Sequence, residues 1–150
     1  MVEPHSMLHI DQSATAGDIV RLQGGGQSDG VLLEVLIPGP AASAKPLVLT
    51  APISFWGGVD PKTSVIADVR HPQHGIPITG TILTLPGTIG SSSASAVLLE
   101  LIHRGIAPAA IILHEPDAIL LLGVLVAREM GWGGPGAYRV GRPQWCSGPV

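Results

Sequence analysis

The chain has 150 residues, of which 45% are hydrophobic and only 13% charged, a balance that excludes a disordered segment and suits one domain with a well-buried core. Its net charge is −3, and its eight Lys and Arg are scattered, so no cationic patch exists for a nucleic-acid backbone. The only cysteine, Cys146, excludes an internal disulfide and a multi-thiolate metal site.

The first ten residues carry His and Glu where a signal peptide would need an apolar core. The most apolar run, 118–127, is bounded by Asp117 and Arg128 and falls well short of the ~20 residues of a membrane span. A cytoplasmic protein without membrane contact is the expectation.

Residues 1–44 read as an irregular extension, punctuated by Gly24-Gly25-Gly26 and Pro38-Gly39-Pro40, with one strand-like run at 31–37. The main domain is expected over 45–150. It opens with a short strand at 47–49, stopped by Pro52. Residues 54–61 (SFWGGVDP) read as a loop, because Gly57-Gly58 and Asp60-Pro61 both break regular structure. A strand is predicted over 76–85.

The turn Pro86-Gly87-Thr88-Ile89-Gly90 follows, and Ser91, Ser92 and Ser93 can cap a helix. Ala94, Val97, Leu98, Leu101 and Ile102 recur at helical spacing as one apolar stripe. His103 and Arg104 suit the last turn, and Gly105 suits a left-handed stop. A buried strand is expected at 108–113, then a second helix over 117–130, closed by Gly131. The order of elements indicates an α/β domain, with the strands around the first helix parallel and joined by a right-handed crossover. There is no internal repeat.

Four segments carry polar or aromatic groups of interest. A glycine turn feeding a helix, as in GTIGSSSAS (87–95), offers backbone N–H groups to an anion, although local sequence alone favours plain helix capping by serine. It lacks the Lys of a nucleotide-binding P-loop. In SFWGGVDP the glycines would let backbone approach a ligand while Trp56 packs over it; a hydrophobic plug under a tight turn is the alternative. His71 and His74 have metal-ligand spacing, but Pro72 breaks the helix this would need, so solvated loop histidines are expected. His114-Glu115 reads as a polar strand terminus, at an end where α/β folds often place function.

Taken together, SFWGGVDP, the RHP at 70–72, LPGTIGSSSASAVLLELI (85–102) and GIAPAAIILHEPDAILLLG (105–123) resemble the small subunit of the aconitase X family, over about 45–130. Ile89 stands where that family's turn often has a basic or polar residue. After Met130 the resemblance implies a short apolar strand, for which 131–150 offers only 137–140.

The resemblance implies a swivelling β/β/α domain related to the mobile lid of aconitases. It implies a dehydratase whose large subunit carries the iron, usually as an iron–sulfur cluster, with none bound by this chain alone. The small domain closes over that site and supplies a serine proton acceptor, which by position is Ser91. Ser54, Trp56, Gly57 and Gly58 of the first loop, with Gly90, Ser92 and Ser93 of the second, are the expected substrate contacts. Two small hydroxy-acid substrates are associated with the family, cis-3-hydroxy-L-proline, preferred here, and phosphomevalonate. A non-enzymatic regulatory module with the lid fold is a further alternative. A phosphohistidine carrier would need His where this chain has Ser91 to Ser93.

Physical chemistry points the same way. A helix N-terminus contributes about 0.3–1 kcal/mol to an anion, up to ~2 when partly buried. At ~1.36 kcal/mol per pKa unit, this lowers a serine pKa by about one, from a value far above tyrosine's ~10. Stronger positive charge must reach Ser91 from outside the chain, so the isolated chain is expected to be inactive.

Overall fold

Alternation along very short strands decides the architecture. The structure, a computed structural model, describes residues 7–24, 30–89 and 93–141. In β6 (Ile82–Leu85), β7 (Ala110–Leu113) and β8 (Gly136–Val140), successive side chains leave opposite faces of the sheet, and both faces are covered. Ile82, Ala110, Ile112 and Tyr138 enter one core together with Ile10, Leu33, Val35, Ala42 and Ala44. Leu83, Leu85, Ile111, Leu113 and Ala137 enter a second core, against the helices.

The sheet has eight strands, completed by β1 (Leu8–Ile10), β2 (Ile19–Gly24), β3 (Val31–Ile37), β4 (Ala42–Ala44) and β5 (Pro46–Val48). Their order is β4-β1-β2-β3-β8-β7-β6-β5. Strands β5 to β8 are mutually parallel, and the β3–β8 pairing and those of the N-terminal strands are antiparallel. The two outermost strands of this order, β4 and β5, are separated in sequence by Lys45 alone. Two peptide steps span at most about 7 Å, so the sheet must curl until its edges nearly meet. The first core fills the interior of this nearly closed barrel.

The stretch before residue 45, expected to be irregular apart from a strand-like run at 31–37, supplies that run as β3 and three further strands, β1, β2 and β4. Each is held by distant pairing, as with Leu33 opposite Val140 and Ile10 opposite both Leu22 and Ala42. The strand expected over 76–85 begins only at Ile82, because Gly80 turns at φ 67° and the Thr81 hydroxyl closes the turn onto the Ile78 carbonyl.

Two helices form the outer layer. Helix α2 (Ala94–Arg104) buries Ala94, Val97, Leu98, Leu101 and Ile102, the predicted stripe, and stops at Gly105 with φ 75°. Helix α3 (Ala118–Glu129) buries Leu120, Gly123, Val124 and Ala127 against it. The α2 helix links β6 to β7 and α3 links β7 to β8, so the parallel half is built of strand–helix–strand units. Among the described residues no helix is long and apolar enough to cross a membrane.

Candidate functional site

In parallel α/β sheets, loops at the carboxyl ends of the strands converge on one edge. Among the described residues they are 49–59 after β5, 86–89 after β6 and 114–117 after β7. Backbone bonds splice them together. Ile53 and Thr88 form a parallel bridge in which the Ile89 N–H donates to the Ile53 carbonyl at 3.0 Å. The His114 N–H donates to Leu85 O and the Glu115 N–H to Pro86 O, each at 3.2 Å. The aromatic loop and the glycine turn, separate motifs in the sequence, are thus neighbours.

Asp117 closes the third side. Its Oδ1 accepts from the Ile119 N–H at 2.9 Å and the Leu120 N–H at 3.3 Å, capping α3. Its Oδ2 accepts from the Thr88 hydroxyl. A cleft of about 590 Å³ opens here, lined by Pro52, Gly87, Thr88, Glu115, Asp117 and Ile119 among others. A second cavity of about 550 Å³ shares Pro86 and Glu115 with it and holds His114, Glu34 and Arg139. Arg139 is taken up by Glu34, donating from Nε at 2.9 Å and Nη2 at 2.6 Å.

The aromatic loop resolves into two parts. Phe55 is fully buried and anchors the turn α1 (Phe55–Gly58), whereas Trp56 is 60% exposed. The plug and the displayed ring are both present, on adjacent residues. Trp56 and Gly57 have non-helical backbone angles, so the loop expected at 54–61 is a kinked turn. Gly57 sits at φ 84° with open space around it. Gly58 is buried, and a Cβ there would come within 2.9 Å of the Ile53 side chain, so its contribution is close packing. The Ser54 hydroxyl donates to the Trp56 carbonyl at 3.0 Å.

Gly90, Ser91 and Ser92 lie outside the described residues, as does Cys146. Ser93 occupies the N-cap position of α2, where its carbonyl accepts from the Ala96 and Val97 N–H groups. Lys62 and Arg70 are exposed, and Arg104 pairs with Glu100 on the solvent side of α2.

His71 corrects the expectation of solvated histidines. It is only 6% exposed. Its Nδ1 accepts from the Gln73 N–H at 3.0 Å, which places the ring proton on Nε2, and Nε2–H donates to the Ala51 carbonyl at 3.0 Å. The Gln73 side chain in turn accepts from the Thr50 N–H at 3.2 Å. The 70–74 loop is therefore a clasp on residues 50–51, beside the lip of the cleft. His74 is exposed as expected.

Sequence reasoning missed the Thr88–Asp117 contact and the clasp. Asp117 was readable as a helix start, but nothing local marks its second oxygen as a partner of a residue 29 positions earlier. An iron–sulfur cluster needs several thiolates. The sequence has one cysteine, and among the described residues no three His, Cys, Asp or Glu side chains come together as a metal set. The described part of the chain does not fit such a cluster.

Comparison with known proteins agrees with this fold. A segment of the cis-3-hydroxy-L-proline dehydratase of Pseudomonas aeruginosa is 52% identical over 92 residues, covering 60% of this chain but 16% of that protein. The phosphomevalonate dehydratase small subunit of Methanopyrus kandleri is 45% identical over 83 residues, covering 55% of this chain and 62% of that one. The chain thus matches less than two thirds of the length of either relative. The crystal structure of Thermococcus kodakaraensis aconitase X in its holo-form superposes with a TM-score of 0.59 over 87% of this chain and 79% of that one, at 24% identity, and so shares the fold. The solution structure of a UPF0107 protein, 32% identical, superposes with a TM-score of 0.58 over 73% of this chain and 76% of that one. The family model described as the aconitase X swivel domain matches residues 33–137, and the chain belongs to that family.

Proposed function

We propose that this chain is the small subunit of an aconitase X-type dehydratase, closing over an iron site carried by a large subunit. The observation that carries the reading is the Ile53–Thr88 bridge, which sets the exposed Trp56 loop beside the glycine turn leading to residues 90–92. In this reading the cleft edge faces the partner. Trp56 covers the substrate and excludes water, while Gly57, Ser54 and the serines after the turn contact it. Ser91 takes the proton from the carbon acid. Departure of the hydroxyl needs an acid or Lewis acid, a role assigned to the large subunit. The identity to a cis-3-hydroxy-L-proline dehydratase, 52%, supports that compound as substrate. Phosphomevalonate is the second reading, supported by the small subunit at 45%.

Reconstitution tests this. The purified chain is expected to fold without dehydratase activity, and turnover is expected on mixing with its cognate large subunit. Robust turnover by the 150-residue chain alone refutes the division of labour.

A further inference from the structure

We propose that Asp117 is a positioning residue, which acts through Thr88 to fix the turn leading into α2. Its catalytic consequence rests on the dehydratase reading above. A helix cap needs one acceptor oxygen, and Oδ1 alone serves the Ile119 and Leu120 N–H groups. Ser or Asn would do as much. The second oxygen is what a cap does not require, and it accepts from the Thr88 hydroxyl. An Asn would present an NH2 there and could not accept that proton.

Thr88 is tied on its other side as well, through the bridge to Ile53 and the bond from the Ile89 N–H. One carboxylate therefore links the loop after β7 to the turn after β6, which is itself laced to the loop after β5. Residues 86–89 are the backbone immediately before 90–92, so their placement sets the point from which that segment starts. A misplacement near 1 Å at a reacting group costs as much as about a hundredfold in rate.

The test uses Thr88→Val, which removes the hydroxyl at nearly constant shape, Thr88→Ser, which restores it, and Asp117→Ser, which keeps a cap but is too short to reach Thr88. A hydrogen bond to a charged group is worth roughly a tenfold effect or more. In Thr88→Val, amide exchange at Ile89 is expected to rise about tenfold while Ile111 in the core is unchanged. In the complex with the large subunit, kcat is expected to fall about tenfold with KM within about twofold. Thr88→Ser should recover both, Asp117→Ser should match Thr88→Val, and the double variant should lose no more than either single one.

Unchanged Ile89 exchange in Thr88→Val overturns the proposal. So does raised exchange with kcat intact. Full turnover in Ser91→Ala would instead remove the serine assignment, and the positioning role would still be decided by Ile89 exchange and by kcat in the Thr88 variants.

Discussion

Gly123 of α3 lies directly against the backbone of Ser95 in α2: a Cβ at position 123 would come within 2.6 Å of the Ser95 carbonyl oxygen and 3.3 Å of its Cα. Backbone cannot swing aside as a side chain can, so the helices must separate to admit even one methyl. Gly123→Ala is expected to destabilise the fold by about 1–3 kcal/mol, despite alanine's better helix propensity. Urea unfolding measures it. A gain in stability would mean that the helix contact is looser than this geometry requires.

That contact marks where the sequence is readable. The α2 stripe was legible because Ala94, Val97, Leu98, Leu101 and Ile102 follow the helical period, and Gly105 because a left-handed stop needs glycine. Gly123 sits in an unbroken apolar run, and nothing local separates a helix-packing glycine from a tolerated one. Of the N-terminal strands only β3, at 31–37, was legible, and the others were hidden for a different reason. Three-residue strands such as Leu8–Ile10 carry no periodicity, and their stability comes from partners far along the chain. The ion pair of Glu34 with Arg139, 105 positions apart, is typical of the contacts that hold β3 in place. At the site, both motifs were visible, but the Ile53–Thr88 bridge that joins them depends on the parallel order of β5 and β6.

The His71 clasp was equally hidden, since a histidine beside a proline in a polar loop gives no sign of burial. His71→Ala removes the acceptor of the Gln73 N–H and the donor to the Ala51 carbonyl. Leaving such groups unpaired costs roughly 1–3 kcal/mol. A lowered unfolding midpoint, with faster amide exchange at Gln73, is the expected result. Stability within ~0.5 kcal/mol of the parent would show that water replaces the ring without loss.

Phe55 and Trp56 are adjacent but should respond oppositely. Phe55→Ala empties a fully buried site and is expected to cost about 3–5 kcal/mol. Trp56→Ala removes a ring that is 60% exposed and should shift stability by no more than ~0.5 kcal/mol. In the reconstituted enzyme, however, Trp56→Ala is expected to raise KM or weaken assembly by about tenfold, as loss of a buried aromatic contact does. Unaltered kinetics and assembly would make the exposed ring incidental.

Ser91→Ala tests the base directly, since the N-cap position of α2 belongs to Ser93. As proton acceptor, Ser91 is worth about 10²–10⁴ in rate. A serine that only caps a helix is worth about 0.5–2 kcal/mol of stability and nothing in rate. The expected outcome in the reconstituted enzyme is loss of turnover with assembly and iron content unchanged. Substantial kcat in a folded Ser91→Ala complex would move the role to Ser92 or Ser93.

The charges around the cleft bear on the substrate. Among the described residues its lining includes Glu115 and Asp117 and neither Lys nor Arg. The nearest cavity has Arg139, already engaged by Glu34, and Arg104 is paired with Glu100 on α2. Lys62 and Arg70 are exposed on the loop beyond the aromatic turn. A phosphorylated substrate calls for free cations near its phosphate, and an acidic lining repels it. In the proposed reading the ring ammonium of cis-3-hydroxy-L-proline would instead face the Glu115 carboxylate, which lines the cleft, with the substrate's carboxylate left to the large subunit. Assayed side by side on the reconstituted enzyme, the hydroxyproline is expected to show kcat/KM at least about tenfold higher, equivalent to ~1.4 kcal/mol in the barrier. Glu115→Gln should then raise KM for it while leaving assembly intact. Turnover of phosphomevalonate with none of the hydroxyproline would reverse the assignment.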